Sequence, residues 1–265
     1  MNKIYFFSGT GNSIAIAKAI SEQLGDTELI PMATASAEQL DVSKSERVGM
    51  VFPVYGWGMP RAVAEFASRL KPTQQQYVFA ITTCGGTPGN TLQQLGKTLN
   101  QSGSKLNAGF AVSGDFLISL QGSNEMAIIR FMSWLGRKTT PAVASKRLPE
   151  ILRSIEGKQT HAIERSNTSV NVIGSMMYGM SMKMFKTMDK NFSATDDCVS
   201  CGTCVKVCPR ENVRLKDGKP TWHQDCEFCY ACLAWCPRQA IQFGGNPLKG
   251  AATHPDAVLS DALLR

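Results

Sequence analysis

The chain has 265 residues, a formal net charge of +7 and 43% hydrophobic residues. This length allows one large domain and a small one, and the hydrophobic content is ordinary for a globular protein. No run of about 18 apolar residues is present, which argues against a transmembrane helix. The N-terminus turns glycine-rich too early for a signal peptide. We therefore expect a cytoplasmic protein, in a compartment that keeps its nine cysteines reduced.

The first 165 residues alternate short apolar runs with amphipathic stretches, a pattern typical of α/β proteins. Strands are predicted at residues 4–7, 28–30, 48–54, 77–83 and 105–112. Helical periodicity lies between them and again at residues 148–155. The pattern predicts a doubly wound, five-stranded parallel sheet whose ligands bind beyond the carboxyl ends of the strands.

A loop rich in hydroxyl groups follows the first predicted strand and opens the first predicted helix. It contains Ser8, Thr10, Gly11, Asn12 and Ser13. Free N–H groups at a helix start bind anions. The loop lacks the lysine of a nucleoside-triphosphate loop and the third glycine of a dinucleotide loop. It therefore suits a single terminal phosphate group.

Two further loops end the third and fourth predicted strands. The first includes Pro53, Val54, Tyr55, Gly56 and Trp57, whose two aromatic rings are candidate walls for a flat ligand, or only an aromatic-capped loop. The second includes Thr83, Cys84, Gly85 and Gly86, where glycine lets the main chain approach a ligand closely. Cys84 has no cation beside it in the sequence, so we expect no thiol chemistry there.

Most of the positive charge lies in the middle of the chain, where residues 124–190 carry 11 Lys or Arg against 5 Asp or Glu. The rest of the chain is close to neutral, which argues against a general nucleic-acid surface. The basic stretch is either a solvated helical face or a docking site for an acidic partner. Its residues are Arg130, Arg137, Lys138, Lys146, Arg147, Arg153, Lys158 and Arg165.

Residues 166–192 are rich in methionine and predict a connecting helix. The simplest interpretation is that it packs the C-terminal part of the chain onto the N-terminal part. A partner-docking surface and an interfacial membrane helix are the alternatives, although Lys183 and Lys186 supply little charge for the latter.

Eight cysteines form two copies of the motif C-x-x-C-x-x-C-x-x-x-C-P. They are Cys198, Cys201, Cys204 and Cys208, then Cys226, Cys229, Cys232 and Cys236. The spacing is typical of proteins with two [4Fe–4S] clusters, in which the fourth cysteine of each run binds the other cluster. Cys236 would thus complete the first set and Cys208 the second. Structural zinc and disulfides fit the spacing less well, and the Asp217-Gly218 pair between the motifs predicts a hairpin.

Taken together, these motifs resemble the bacterial flavodoxin–ferredoxin fusion family. The S-x-T-G-N-S loop is similar to a flavodoxin phosphate loop, residues 53–60 fit the family's P-V-Y-x-W-G-x-P stretch, and Thr253-His254-Pro255 is similar to its ending. The resemblance implies FMN and two [4Fe–4S] clusters. It also implies that the loop residues named above bind FMN, and that Tyr55 and Trp57 flank its ring.

Four segments follow from this organisation: a flavodoxin-like domain (1–165), the connecting helix (166–192), a small α+β two-cluster ferredoxin domain (193–245) and a tail (246–265). The favoured hypothesis is electron transfer between the clusters, FMN and an external redox protein, such as an acidic ferredoxin or a reductase. One alternative is an FMN-dependent reductase of a small electron-poor substrate, with residues 116–190 over the flavin. Another is a redox sensor. No acid–base or nucleophilic catalytic set is evident.

Overall fold

One parallel sheet organises the N-terminal part of this computed structural model, which describes residues 1–114, 141–247 and 253–262. Its strands pair in the order β2-β1-β3-β4-β5, which confirms the predicted doubly wound sheet. They are β1 (Asn2–Phe6), β2 (Thr27–Pro31), β3 (Arg47–Pro53), β4 (Tyr77–Cys84) and β5 (Ala108–Ser113). In register, Ile4 of β1 lies beside Leu29 of β2 and Gly49 of β3.

The fifth strand begins at Ala108 and not at residue 105 as predicted. Asn107, the residue before it, contacts the main chain of Val78 through both its backbone and its side chain: its N–H donates to the Val78 carbonyl at 2.8 Å, and its Oδ1 accepts from the Val78 N–H at 2.8 Å. The side-chain bond replaces a strand-to-strand bond, so regular pairing starts only after Asn107, at Ala108.

Helices cover both faces of the sheet. They are α1 (Asn12–Leu24), α2 (Arg61–Arg69), α3 (Thr91–Gln101) and α4 (Ala144–Glu156). The apolar faces of α2 and α3 pack on one side of the sheet, and those of α1 and α4 pack on the other. This three-layer arrangement leaves the carboxyl ends of the strands at one edge, where the three candidate loops lie.

A 21-residue helix, α5 (Thr168–Met188), connects the two parts of the chain. Asn167 caps it, because its side chain accepts a hydrogen bond from the N–H of Val170 at 2.9 Å. The helix packs on the loop after β3, where the Tyr178 hydroxyl donates to the Met59 carbonyl at 2.6 Å. Its opposite face is exposed and apolar, and includes Met176 at 77% and Met180 at 61% exposure.

The C-terminal part is built from short elements around the cysteines. Its strands are β6 (Phe192–Ala194), β7 (Val213–Lys216), β8 (Lys219–Trp222), β9 (Ile241–Phe243) and β10 (Asn246–Pro247). Its helices are α6 (Thr203–Lys206) and α7 (Ala231–Ala234). A last short helix, α8 (Leu259–Ala262), lies in the tail. Strands β7 and β8 form the predicted hairpin, with Asp217 and Gly218 both at positive φ as a two-residue turn requires.

This part has its own small core, in which aromatic rings surround the thiols of both motifs. The rings of Phe185 and Phe228 stack with their centroids 5.0 Å apart, and those of Phe192 and Trp222 stack with their centroids 5.5 Å apart. Within the described residues, no helix has the length and hydropathy needed to cross a membrane.

Candidate functional site

The predicted phosphate loop lies between β1 and α1, and two of its hydrogen bonds are made within the loop. Gly11 has a φ of 100°, in the left-handed region that favours glycine. Its N–H donates to Ser8 Oγ at 3.2 Å, and Asn12 Nδ2 donates to Thr10 Oγ1 at 3.3 Å. No acidic residue lies in the first turn of α1. Hydroxyl groups at a helix N-terminus are chemically suited to a phosphate.

The two other predicted loops meet this loop at the same edge of the sheet. The hydroxyls of Ser13 and Thr83 are 3.1 Å apart, and the N–H of Val54 donates to the Thr83 carbonyl at 2.9 Å. Pro53 ends β3 directly before Val54. The fold therefore brings the three sequence-predicted loops together, as expected for strands that end at one edge.

The aromatic residues of the second loop contact different elements. Tyr55 and Gly58 exchange two backbone hydrogen bonds around a tight turn, in which Gly56 and Trp57 both have positive φ. Such a backbone is costly for tryptophan and is held in place by its surroundings. The side chain of Trp57 packs against Gly174 of α5, whereas the Tyr55 hydroxyl lies near Gly9 in the phosphate loop.

Cys84 ends β4 with a buried side chain that is 4% exposed. Its thiol donates to the Val112 carbonyl at 3.5 Å. Burial raises the pKa of this thiol to about 12, so it is not a nucleophile at neutral pH. Gly85 is exposed and Gly86 is half-buried, so the main chain after Cys84 is the accessible part of this loop.

Four of the cysteines line one pocket, in the crossed combination that the motif predicts. They are Cys198, Cys201, Cys204 and Cys236. Burial raises the pKa of the Cys204 thiol to about 11, and the three other thiols of this set add to the rise. We call these residues the outer set, because Cys201 is exposed.

The remaining cysteines form an inner set of Cys208, Cys226, Cys229 and Cys232. Burial raises the pKa of Cys229 and Cys232 well above the ordinary value, and the neighbouring thiols Cys208 and Cys226 raise both further. Thiols with such a raised pKa lose their protons readily only when a metal ion binds the sulfur in place of the proton.

Main-chain N–H groups point at several of these sulfur atoms. Asn212 donates to Cys208 at 3.3 Å, Phe228 to Cys226 at 3.2 Å, and Ala240 to Cys236 at 3.3 Å. Hydrogen bonds to the sulfurs are part of the usual surroundings of iron–sulfur clusters. In the described ranges, no three His, Cys, Asp or Glu side chains are close enough to bind one single ion. A four-iron cluster instead takes one thiolate on each iron, so the two sets of four thiols fit two clusters.

The inner set lies directly against the phosphate loop, a contact that the sequence did not predict. A Cβ atom built on Gly9 would be 2.1 Å from the Cys229 carbonyl oxygen. The indole N–H of Trp235 donates to the Gly9 carbonyl at 2.9 Å. Cys229 and Ala231 are also part of the apolar core on one face of the parallel sheet. The two loops therefore share one packed interface.

A charged network holds the same interface at its edge. Arg61, the first residue of α2, donates to Asp225 Oδ1 and to the Cys226 carbonyl, both at 2.7 Å, and its backbone N–H donates to Glu227 Oε1 at 2.7 Å. Burial raises the pKa of Glu227 to about 7 against the opposing effect of Arg61. Burial also acts to raise the pKa of Asp225, but hydrogen bonds from Arg61 and Arg210 outweigh it and keep that pKa below its ordinary value.

Comparison of the two cysteine motifs could have indicated two interface residues, Trp235 and Glu227, that the sequence analysis did not identify. With a shift of 28 residues, Trp235 stands where the first motif has Val207, and Glu227 stands where it has Val199. Val199 is 59% exposed, whereas Glu227 is 3% exposed. The two copies of the motif therefore differ at positions that contact the N-terminal part of the chain, which we call the sheet domain.

The basic stretch of the middle segment is partly paired within the protein. Arg147 forms a two-pronged ion pair with Glu164, and Lys158 pairs with Glu46. Lys146 and Arg153 are exposed on α4, and Arg165 is exposed between α4 and α5. Arg130, Arg137 and Lys138 lie outside the described residues.

Comparisons with known proteins agree with this architecture. Family models match a flavodoxin domain at residues 3–141 and a 4Fe-4S dicluster domain at residues 180–241. No curated protein matches the chain. Among solved structures, a flavodoxin of Streptococcus pneumonia TIGR4 is 14% identical, with 59% of this chain and 98% of that chain covered and a TM-score of 0.40.

Two other solved structures are similarly distant. A Megasphaera elsdenii flavodoxin is 21% identical over 43% of this chain and 85% of its own, with a TM-score of 0.36. A Bacillus anthracis FMN-dependent NADH-azoreductase in complex with FMN is 11% identical over 58% of this chain and 99% of its own, with a TM-score of 0.35. Since the flavodoxin model alone matches more than half of the residues, the chain belongs to the flavodoxin family, as a flavodoxin–ferredoxin fusion: an iron–sulfur flavoprotein of electron transfer that binds FMN and [4Fe–4S] clusters.

Proposed function

We propose that this protein passes electrons between its two clusters and FMN, and exchanges them with an external redox protein. The contact between Gly9 and Cys229 carries the proposal. It leaves no room for even one Cβ atom between the phosphate loop and a ligand loop of the inner set. Prosthetic groups held by loops in main-chain contact are close neighbours, as electron transfer between them requires.

Each set of residues has a defined role in this proposal. The outer and inner sets each hold one cluster through four thiolates. Ser8, Thr10, Gly11, Asn12 and Ser13 hold the FMN phosphate. The loops at 53–57 and 83–86 hold the flavin ring. When bound, the clusters exchange single electrons and FMN exchanges one or two.

The outer set is the proposed point of exchange with the partner. Cys201 and Val199 of its ligand loop are exposed, whereas Cys229 and Cys232 of the inner set are buried. Arg238 lines the outer pocket and is exposed. Lys206 is exposed on α6 beside it. A partner with an acidic surface would be steered to this end of the protein.

Anaerobic purification and stopped-flow reduction test the proposal. We expect about eight irons and one FMN per chain, in line with two cubane clusters. After mixing with a reduced ferredoxin, clusters and flavin should reach redox equilibrium together. Replacing Cys201 with alanine should slow reduction of the flavin without loss of bound FMN. Flavin reduction that is indifferent to this change would refute the proposed route.

The alternative hypothesis, a reductase of small electron-poor molecules, has a separate test. The reduced protein is mixed anaerobically with quinones, nitro compounds and enones, and its reoxidation is followed by absorbance. Electron transfer to protein partners predicts slow reoxidation by all three classes. Fast, saturable reoxidation by one class would favour the reductase.

A further inference from the structure

The backbone of the phosphate loop is oriented by a residue of the cluster-binding part. Trp235 lies between Cys232 and Cys236 in the second motif, and its indole N–H donates to the Gly9 carbonyl at 2.9 Å. In a trans peptide, the carbonyl of Gly9 and the N–H of Thr10 point in opposite directions. Holding the Gly9 carbonyl therefore also fixes the direction of the Thr10 N–H, which belongs to the loop proposed to bind the FMN phosphate.

The position of Trp235 depends in turn on the inner set of cysteines. Trp235 directly follows α7, whose residues Ala231, Cys232 and Leu233 are buried. A small metal-binding module draws much of its folding free energy from the metal. Without the inner cluster, the loop and helix that hold Trp235 would lose their fixed shape, and the Gly9 carbonyl would lose its donor.

We propose that Gly9 and Trp235 are positioning residues through which occupancy of the inner cluster site sets the affinity for FMN. The inference rests on the proposed sites for both groups and adds an energetic coupling between them. Such coupling is reciprocal, so bound FMN also strengthens binding of the inner cluster by the same factor by which the cluster strengthens FMN binding. Gly9 is required here because any side chain at this position would push the two loops apart.

The substitution Trp235→Phe tests the role of the indole N–H. It keeps a six-membered aromatic ring in the interface and removes the N–H donor together with the five-membered ring. In the full chain with clusters loaded and flavin removed by anaerobic dialysis, FMN is titrated and its fluorescence quenching is measured. Loss of one hydrogen bond of ordinary strength should raise the Kd for FMN about fivefold to tenfold. Tyr77→Phe is the control, because it also removes one side-chain donor to a main-chain carbonyl, that of Gln159 at 2.7 Å. Tyr77 is the first residue of β4, at the other end of the strand from the candidate loops, so the Kd should stay unchanged.

Iron removal completes a thermodynamic cycle. Chelation of the clusters from the wild-type chain should weaken FMN binding, and Trp235→Phe should then have no further effect. Iron and sulfide are quantified in every sample, so that an unloaded variant is not misread. The proposal would be overturned if Trp235→Phe still weakened FMN binding by the same factor after iron removal. It would also be overturned if the wild type and Trp235→Phe, both with clusters loaded, bound FMN with equal affinity.

A second variant covers the case in which Trp235→Phe fails to load iron. Gly9→Ala places a Cβ atom on the Cys229 carbonyl and should also weaken FMN binding, whereas Gly96→Ala, with no atom within 4 Å of the new carbon, should not. These measurements need no electron transfer. Redox isolation of clusters from flavin would refute the proposed function and leave the coupling standing. Unchanged FMN affinity in both variants would refute the coupling alone.

Discussion

Replacing Arg61 with alanine removes the cation that joins the sheet domain to the inner ligand loop. Its side chain is 14% exposed and lies within 3.7 Å of Glu227 Oε2. It also donates to Asp225 and to the Cys226 carbonyl, both at 2.7 Å. The substitution leaves the carboxylate of Glu227, which is 3% exposed, without this nearby charge.

The expected loss of stability is about 3 kcal/mol, at the lower end of the range for one-sided removal of a buried ion pair. The lower end applies because the Asp225 side chain is 40% exposed and keeps its bond from Arg210 at 2.9 Å. A loss of this size corresponds to roughly a 100-fold change in an equilibrium constant. The cluster-binding part should detach from the sheet domain at lower denaturant.

Anaerobic urea titration of the full chain measures this effect through the visible absorbance of the clusters. For an m-value of about 1–3 kcal/mol per molar urea, the midpoint should fall by about 1 M or more. Arg69→Ala is the control, since Arg69 is exposed at the end of the same helix. Arg61→Lys keeps the charge but not the planar fork, and should recover part of the loss. A midpoint for Arg61→Ala equal to that of Arg69→Ala would refute the reasoning.

Three further predictions concern the sheet domain and the connecting helix that packs on it. Burial raises the pKa of the Cys84 thiol to about 12, so this thiol should resist iodoacetamide at pH 8 in the native protein and react after denaturation, as measured by mass spectrometry. Because folding raises this pKa, ionisation of the thiol favours the unfolded state. The free energy of unfolding should therefore fall above pH 9. Gly49→Ala places a Cβ atom 2.4 Å from the ring of Phe79 and should lower the free energy of unfolding by about 1–3 kcal/mol. An unfolding curve by circular dichroism that is unchanged from the wild type would contradict this prediction. Tyr178→Phe removes the hydrogen bond to Met59 and should cost about 1 kcal/mol in the same assay.

Local pattern was sufficient to predict the sheet and the cysteine sets. Apolar runs separated by amphipathic stretches specify parallel strands and helices, and the carboxyl ends of those strands had to share one edge. The crossed grouping of Cys236 with the first motif followed from the known ligand pattern of proteins that carry this motif twice. Cys84 was expected to be inert, and its burial gives the physical reason.

Contacts between distant segments left no comparable pattern in the sequence. Gly9 and Trp235 are 226 residues apart, and Arg61 and Asp225 are 164 residues apart. Neither pair has a periodicity that links its members, because their proximity is set by how two folded parts pack. The same holds for Trp57, whose packing on Gly174 depends on where α5 crosses the loop.

The apolar core shared between the two parts limits how the protein can be dissected. Val207, Cys229 and Ala231 lie in the same buried cluster as Met59 and Ala62. A protein cut before Phe192 would expose that surface to water and would be prone to aggregate. The C-terminal part alone would likewise lose the surface of the sheet domain on which the loop of the inner cysteine set packs. Redox properties measured on either half in isolation would therefore describe a different molecule from the intact one.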